Sequence, residues 1–220
     1  MAMPYFRFKQ FTVWHDRCAM KVGTDGVLLG ATAPVGGKTN VLDIGTGSGL
    51  IALMLAQRNA MAQITAIELE GQAAEQANQN FSLSPWKDRL TLLNIDFKNF
   101  ESSDKFDLIV SNPPYFVNSL RSPNANKNQA RHTDGLSFDD LLDGVAKLLT
   151  SDGTACFIIP IEAKADFIGI GLLKNLHLKR CIEIQTTPSG KIRRVILEFK
   201  SSANELVEEE LLSEIERHKY

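Results

Sequence analysis

The chemistry of this chain is densest at Ser111-Asn112-Pro113-Pro114-Tyr115, directly after the apolar run 106–110. Two consecutive prolines fix the backbone and remove two amide donors, leaving carbonyl oxygens free to accept. Asn112 adds a side-chain acceptor and Tyr115 a flat aromatic face. Such a set suits a planar –NH2 group. Two acceptors on one amino group draw its hydrogens out of the ring plane and return the nitrogen lone pair to nucleophilic use, while the aromatic stacks on the base or amide that carries it. No general base of high pKa is needed, because the amine sheds its proton after attack. The bland alternative is a rigid proline loop.

A second cluster is Asp43-Ile-Gly45-Thr-Gly47-Ser-Gly49, between a strand pattern and a helix pattern. Glycines there let a ligand approach the backbone, and helix-terminal N–H groups point outward. The dinucleotide fingerprint requires Gly or Ala where this chain has Leu50, so hydride transfer loses its main support. A Gly-rich turn alone also reads as a tight structural turn. Glu68 lies 25 residues beyond Asp43, near the separation of roughly 20 at which an acid meets ribose hydroxyls. Asp96 precedes Phe97, a pairing suited to accepting from an adenine amino group while the ring lies against the base. Each acid singly reads as a surface carboxylate. Together, at the carboxyl ends of successive strands, they mark where open α/β sheets bind ligands.

The elements that must position these groups follow an alternation of short apolar runs and longer amphipathic ones, the pattern of βαβ units. Strands are predicted at 40–44, 63–68, 90–94, 106–110, 154–159, 178–184 and 194–199, with helices at 50–57, 71–83, 137–149 and 162–174. The helix at 137–149 has apolar residues at Phe138, Leu141, Leu142, Val145 and Leu148 and is expected to end at Ser151-Asp-Gly153. Before this core, 5–20 reads as a small hairpin and 24–33 as a helix. The polar stretch 118–134 reads as a loop, and Leu206, Leu211, Leu212 and Ile215 in the tail have helical spacing. The expectation is therefore a seven-stranded α/β domain over 34–202, a capping extension at 1–33 and an acidic C-terminal helix at 203–220.

Two hundred and twenty residues with 44% hydrophobic and 23% charged side chains fit one such domain with short appendages. The net charge of −2 does not advertise a nucleic-acid partner, but residues 203–220 carry six acids against Arg217 and Lys219, which leaves +2 for the rest. Cys18, Cys156 and Cys181 are odd in number and form no C-x-x-C pair, so a cytoplasmic protein without a disulfide framework or structural zinc is expected. The first ten residues lack a signal-peptide apolar region, and no run reaches the roughly 20 apolar residues of a membrane span.

D-I-G-T-G-S-G, Glu68, Asp96 and N-P-P-Y together resemble the S-adenosylmethionine-dependent amino-methyltransferases. The run Phe8-Lys-Gln-Phe11, continuing from His15-Asp-Arg-Cys-Ala-Met-Lys-Val-Gly-Thr-Asp-Gly to Gly30, with Ala130-Arg-His132, is similar to the bacterial tRNA1(Val) adenine-N6-methyltransferases. The resemblance covers nearly the whole chain. It implies a Rossmann-like class I methyltransferase fold, mostly parallel with helices on both faces and a reversed final hairpin. It also implies methylation of the adenosine just 3′ of the anticodon. It carries cofactor binding to Asp43, Gly45, Gly47, Gly49, Glu68, Asp96, Phe97 and Asn112, with Lys21, Thr24 and Asp25 closing over the cofactor. Target-amine binding falls to Asn112, Pro113 and Tyr115, and substrate contacts to Pro114, Arg131 and His132.

Other readings stay open beside this one. The N-P-P-Y set serves equally for a glutamine side-chain amide in a protein, and a non-catalytic tRNA-binding module would use the same surface. His132 reads as a phosphate contact or as a solvated loop residue. Lys191, Arg193 and Arg194, with Lys179, Arg180, Arg7, Lys9, Arg17, Lys21, Arg121, Lys127 and Arg131, form either a basic face around the site or a solvated mixture of charges. His15, His132, His177 and His218 show no metal-ligand spacing, so no metal is expected. Trp14 and Phe11 read as packing, Trp86 as a loop anchor and Cys18 as a non-nucleophile. A monomer is the expected state.

Overall fold

The computed structural model describes residues 3–114, 135–185, 187, 190–203 and 206–213. A two-stranded hairpin, β1 (Tyr5–Arg7) and β2 (Thr12–Trp14), precedes helix α1 (Thr24–Thr32). The core then alternates β3 (Asn40–Ile44), α2 (Leu50–Arg58), β4 (Gln63–Glu68), α3 (Gly71–Ser82), β5 (Leu90–Asn94) and β6 (Phe106–Ser111). It closes with α4 (Phe138–Leu148), β7 (Leu149–Pro160), α5 (Lys164–Leu173), β8 (His177–Gln185), β9 (Ile192–Lys200) and β10 (Glu208–Ser213).

The main sheet has the order β10-β8-β9-β7-β6-β3-β4-β5. Strands β3 to β7 are parallel, β9 is antiparallel to both β7 and β8, and β10 adds in parallel to β8. The chain leaves β3 in one direction through β4 and β5 and returns to its other side at β6, so the strand order reverses between β3 and β6. That is the switch point at which doubly wound sheets open a crevice.

Alternation along the buried strands sends side chains to two cores. Val41, Leu108, Val110, Cys156 and Ile158 pack with α1, α2 and α3 on one face. Leu42, Ile44, Ile109, Phe157 and Ile159 pack with α4 and α5 on the other. The α4 stripe predicted from sequence is buried at Leu141, Leu142, Val145 and Leu148, and Ser137 Oγ caps the helix by accepting from Asp140 N at 3.1 Å.

Two expectations need correction. The acidic tail is a strand over Glu208–Ser213, not a helix: β8 offers an open edge, and Arg180 and Lys179 meet Glu210 at 2.8 Å and Glu208 at 3.5 Å. Among the described residues the sheet thus holds the expected seven strands and this one beside them. Ser151-Asp-Gly153, expected to stop a helix, lies inside β7, where Leu149 pairs with Phe106 and Thr154 with Leu108, so the intervening residues form a bulge.

Among the described residues no helix is long and apolar enough to cross a membrane, and no cluster of His, Cys, Asp or Glu has the makings of a metal site.

Candidate active site

Register places the sequence motifs side by side. Ile44 pairs with Ile67 on one flank and with Ser111 on the other, and Glu68 pairs with Asn94. The glycine turn, Glu68, Asp96 and Asn112 therefore all follow the carboxyl ends of adjacent strands. Ser111 Oγ donates to Ile44 O at 2.8 Å and pins the end of β6 to the end of β3.

The glycine turn is built around Asp43, which is wholly buried. Its Oδ2 accepts from Thr46 Oγ1 at 2.6 Å and from Ala52 N at 3.2 Å, in the first turn of α2. Oδ1 is buried without a hydrogen-bond partner. Burial pushes the Asp43 carboxyl up to about 7, against the pull of the Thr46 and Ala52 hydrogen bonds, and the nearby Glu68 charge adds to the rise. Gly45 and Gly47 have φ of 69° and 57°, in the left-handed region, and a Cβ at either would meet nothing within 4 Å. The space beside both is open. Gly49 differs, since a Cβ there would sit 2.5 Å from Phe81 Cε1.

Glu68 accepts from Gly47 N through Oε2 at 2.8 Å and from Glu70 N through Oε1 at 3.0 Å, so two backbone amides aim its carboxylate along the turn. Asn94 donates from Nδ2 to Glu68 O at 2.8 Å and Leu69 O at 3.0 Å, locking the ends of β4 and β5 together. Asp96 caps a short 3-10 turn by accepting from Lys98 N at 2.9 Å. The Phe97 ring, expected against a base, is buried with 7% exposure, and a Cβ at Gly144 of α4 would lie 2.6 Å from its Cε1.

Asn112 is half-buried, Pro113 buried and Pro114 exposed at the mouth of the crevice. Tyr115, Arg131 and His132, together with Arg121 and Lys127, lie outside the described residues.

Residues 14–25 cross the α3 side of the site. Lys21 Nζ donates to His15 O at 2.9 Å and Asp16 O at 3.2 Å. The His15 ring accepts from Val22 N at Nδ1, 3.1 Å, and lies 3.1 Å from Met3 O through Nε2. An amide N–H on Nδ1 and a carbonyl on Nε2 require the neutral Nε2–H tautomer. Thr24 opens α1, and Asp25 pairs with Arg194 Nε of β9 at 2.8 Å. Cys18 is buried, and burial with the Glu68 charge pushes its thiol up to about 11, so it stays protonated at neutral pH.

Sequence reasoning missed Gln76 and Asn80, each 1% exposed on α3. Gln76 Oε1 accepts from Arg17 N at 2.7 Å and its Nε2 donates to Asp16 Oδ1 at 3.1 Å. Asn80 holds Trp14 and Ser48. The available signal was two amides four residues apart on the apolar stripe that holds Ala73, Ala77 and Phe81. Phe11 stacks on Phe8 at 4.6 Å and meets Trp86 edge-on at 5.5 Å, and Trp14 packs on Tyr5 at 5.0 Å, the packing role read for Phe11 and Trp14.

The basic candidates divide. Lys179 and Arg180 face glutamates of β10 near the amino end of the sheet, and Arg17 meets Gln79 at 2.7 Å and Glu75 at 3.6 Å. Lys191 and Arg193 are exposed at the start of β9, beside the carboxyl end of β7, since Arg194 pairs with Pro160.

A sheet with this order, its strand order reversing between β3 and β6, is that of the class I methyltransferase architecture, and the comparisons agree. The methyltransferase small domain model matches residues 19–159. The fold is similar to a TehB-like SAM-dependent methyltransferase from Corynebacterium glutamicum, with TM-score 0.56 and 20% identity over 84% of this chain and 90% of that one. It is also similar to the glycopeptide N-methyltransferase MtfA in complex with (S)-adenosyl-L-methionine, with TM-score 0.61 and 12% identity over 82% and 87%.

Nearer relatives narrow the class. The tRNA1(Val) (adenine(37)-N6)-methyltransferase of Bacteroides thetaiotaomicron is 50% identical over 100% of this chain and 93% of its own length. Its counterpart in Phocaeicola vulgatus is 50% identical over 100% and 94%, and that of Citrobacter koseri 43% identical over 94% and 86%. The chain belongs to the family of tRNA1(Val) (adenine(37)-N6)-methyltransferases.

Proposed function

We propose that this chain methylates the N6 amine of an adenosine in tRNA, at position 37 next to the anticodon of tRNA1(Val), with S-adenosylmethionine as methyl donor. The observation that carries the reading is the Ile44–Ser111 register, which sets the glycine turn and Asn112-Pro113 on neighbouring strand ends. A family whose members bear that activity in their name supports it.

The turn fits the donor. Gly45 and Gly47 leave open space where any side chain would intrude, and the orphaned Asp43 Oδ1 offers a buried acceptor. In this reading Gly45, Gly47 and Glu68 hold the nucleoside and amino-acid portions, Asp96 takes the adenine amino group, and Lys21, Thr24 and Asp25 close the site. When bound, S-adenosylmethionine supplies a methyl carbon made electrophilic by a sulfonium.

The protein's share is placement and exclusion of water. Asn112 Oδ1 and the Pro113 carbonyl accept from the target –NH2, Tyr115 stacks on the adenine, and the nitrogen lone pair is freed. Pro114 sits at the entrance, and Arg131 and His132 contact the substrate beyond it. The adenine must leave the anticodon-loop stack, which costs less from a loop than from a duplex. In this reading the exposed Lys191 and Arg193 meet phosphate, and affinity is expected to be salt-dependent.

The test is methylation of unmodified tRNA pools with labelled donor, followed by mapping. Label at N6 of the adenosine 3′ of the anticodon is expected. Label on protein alone would overturn the reading.

A further inference from the structure

Asn80 joins two parts of the molecule that lie far apart in sequence. Its Nδ2 donates to Ser48 O within the glycine turn at 2.8 Å and to Trp14 O in the N-terminal extension at 2.8 Å. Its Oδ1 accepts from Trp14 N at 2.9 Å. Three of the amide's four hydrogen-bonding positions are thus filled by two backbones, and at 1% exposure no water replaces them cheaply.

The neighbouring contacts extend this clamp. Gln76, one helical turn earlier, takes Arg17 N and Asp16 Oδ1, so residues 14–17 lie along α3 from Asn80 back to Gln76. His15 then carries the hold to Val22 through its ring, and its carbonyl takes Lys21 Nζ. On the other side, Phe81 abuts Gly49, so α3 fixes the turn from two adjacent positions.

We propose that Asn80 is a positioning residue that couples the strap at 14–22 to the glycine turn, so that the strap's placement sets affinity for the methyl donor. The proposal rests on the reading that the turn holds that donor. Lifting the strap strands Trp14 N and frees the amide that holds Ser48 O, so the two segments shift together.

Asn80→Ala tests it, with steady-state kinetics and hydrogen exchange of 12–22 and 45–49. The KM for S-adenosylmethionine is expected to rise about tenfold while kcat at saturating donor stays within about threefold, the scale of stranded buried hydrogen-bonding groups. Exchange should quicken in both segments together, and donor binding should no longer protect 14–18. Faster exchange with an unchanged KM would reduce Asn80 to a structural role and overturn the proposal, as would exchange confined to one segment. Should Asn80→Ala fail to fold, Arg17→Ala serves, because that side chain is 41% exposed and adds a second hold of the strap on α3, to Gln79 and Glu75, beside the one at Gln76. It should raise KM about two- to threefold, as expected for a partly exposed contact, and quicken exchange at 45–49. An unchanged glycine turn in that variant overturns the coupling. If the wild-type protein fails to bind S-adenosylmethionine in calorimetry, the functional reading falls, while linked exchange of the two segments still reports the coupling.

Discussion

At the amino end of the sheet, arginines satisfy several backbone carbonyls each. Arg58 donates to Gly30 O and Ala33 O, both at 2.8 Å, and Arg89 donates to Ala56 O, Asn59 O and Ala62 O at 2.8 to 2.9 Å. Each guanidinium caps a helix C-terminus, where a cation is favoured. At the carboxyl end the balance reverses: Asp43 keeps an orphaned oxygen, two glycines hold left-handed backbone over open space, and Glu68 rests on backbone amides. Satisfied carbonyls build the frame at one end, and the other end keeps a buried oxygen without a partner.

The largest effect that would sharpen this contrast is on turnover. Asn112→Ala should lower kcat by about 10²–10³-fold, the scale for removing one positioned polar group, with a much smaller loss of affinity for S-adenosylmethionine. Wild-type turnover would remove Asn112 from the mechanism. Arg89→Met should do the reverse. Stranding three carbonyls costs roughly 2–4 kcal/mol of stability, seen as a lower Tm, while kcat of the folded fraction holds. A kcat defect in that variant would break the division between the two ends.

Asp43 adds a pH test. Its native pKa of about 7 lies above the ordinary 3.8, so the folded state holds a proton that the unfolded chain releases. The Asp43 contribution therefore makes stability fall as pH rises from about 4 to about 7, by at most about 1.4 kcal/mol per pH unit. Asp43→Asn, which keeps an acceptor for Thr46 and Ala52, should flatten that slope in denaturation curves. The smallest effect belongs to Glu210→Gln, which loses half of a partly exposed fork on Arg180. Less than about 1 kcal/mol is expected, and a larger loss of Tm would show that ion pairs, more than backbone pairing, hold β10.

Much of the frame was legible in sequence because buried parallel strands carry their own signature. The runs 40–44, 63–68 and 90–94 match β3, β4 and β5 residue for residue. The tail was not legible: leucines at 206, 211 and 212 mimic a helical stripe, and only the vacant edge of β8, a tertiary feature, selects a strand. The site followed the same rule. Asp43, Glu68 and Asn112 announce themselves at strand ends, whereas Gln76 and Asn80 sit on a helical stripe that reads as core. Their meaning depends on which distant backbone lies against them.

Strand β10 leaves its outer side without a pairing strand in the described sheet. An open row of peptide groups is a template for another chain, and here it begins with Glu208, Glu209 and Glu210 in succession. Glu208 and Glu210 are already turned to Lys179 and Arg180 of β8, so the run that a second copy would meet edge to edge is two ion pairs with Glu209 between them.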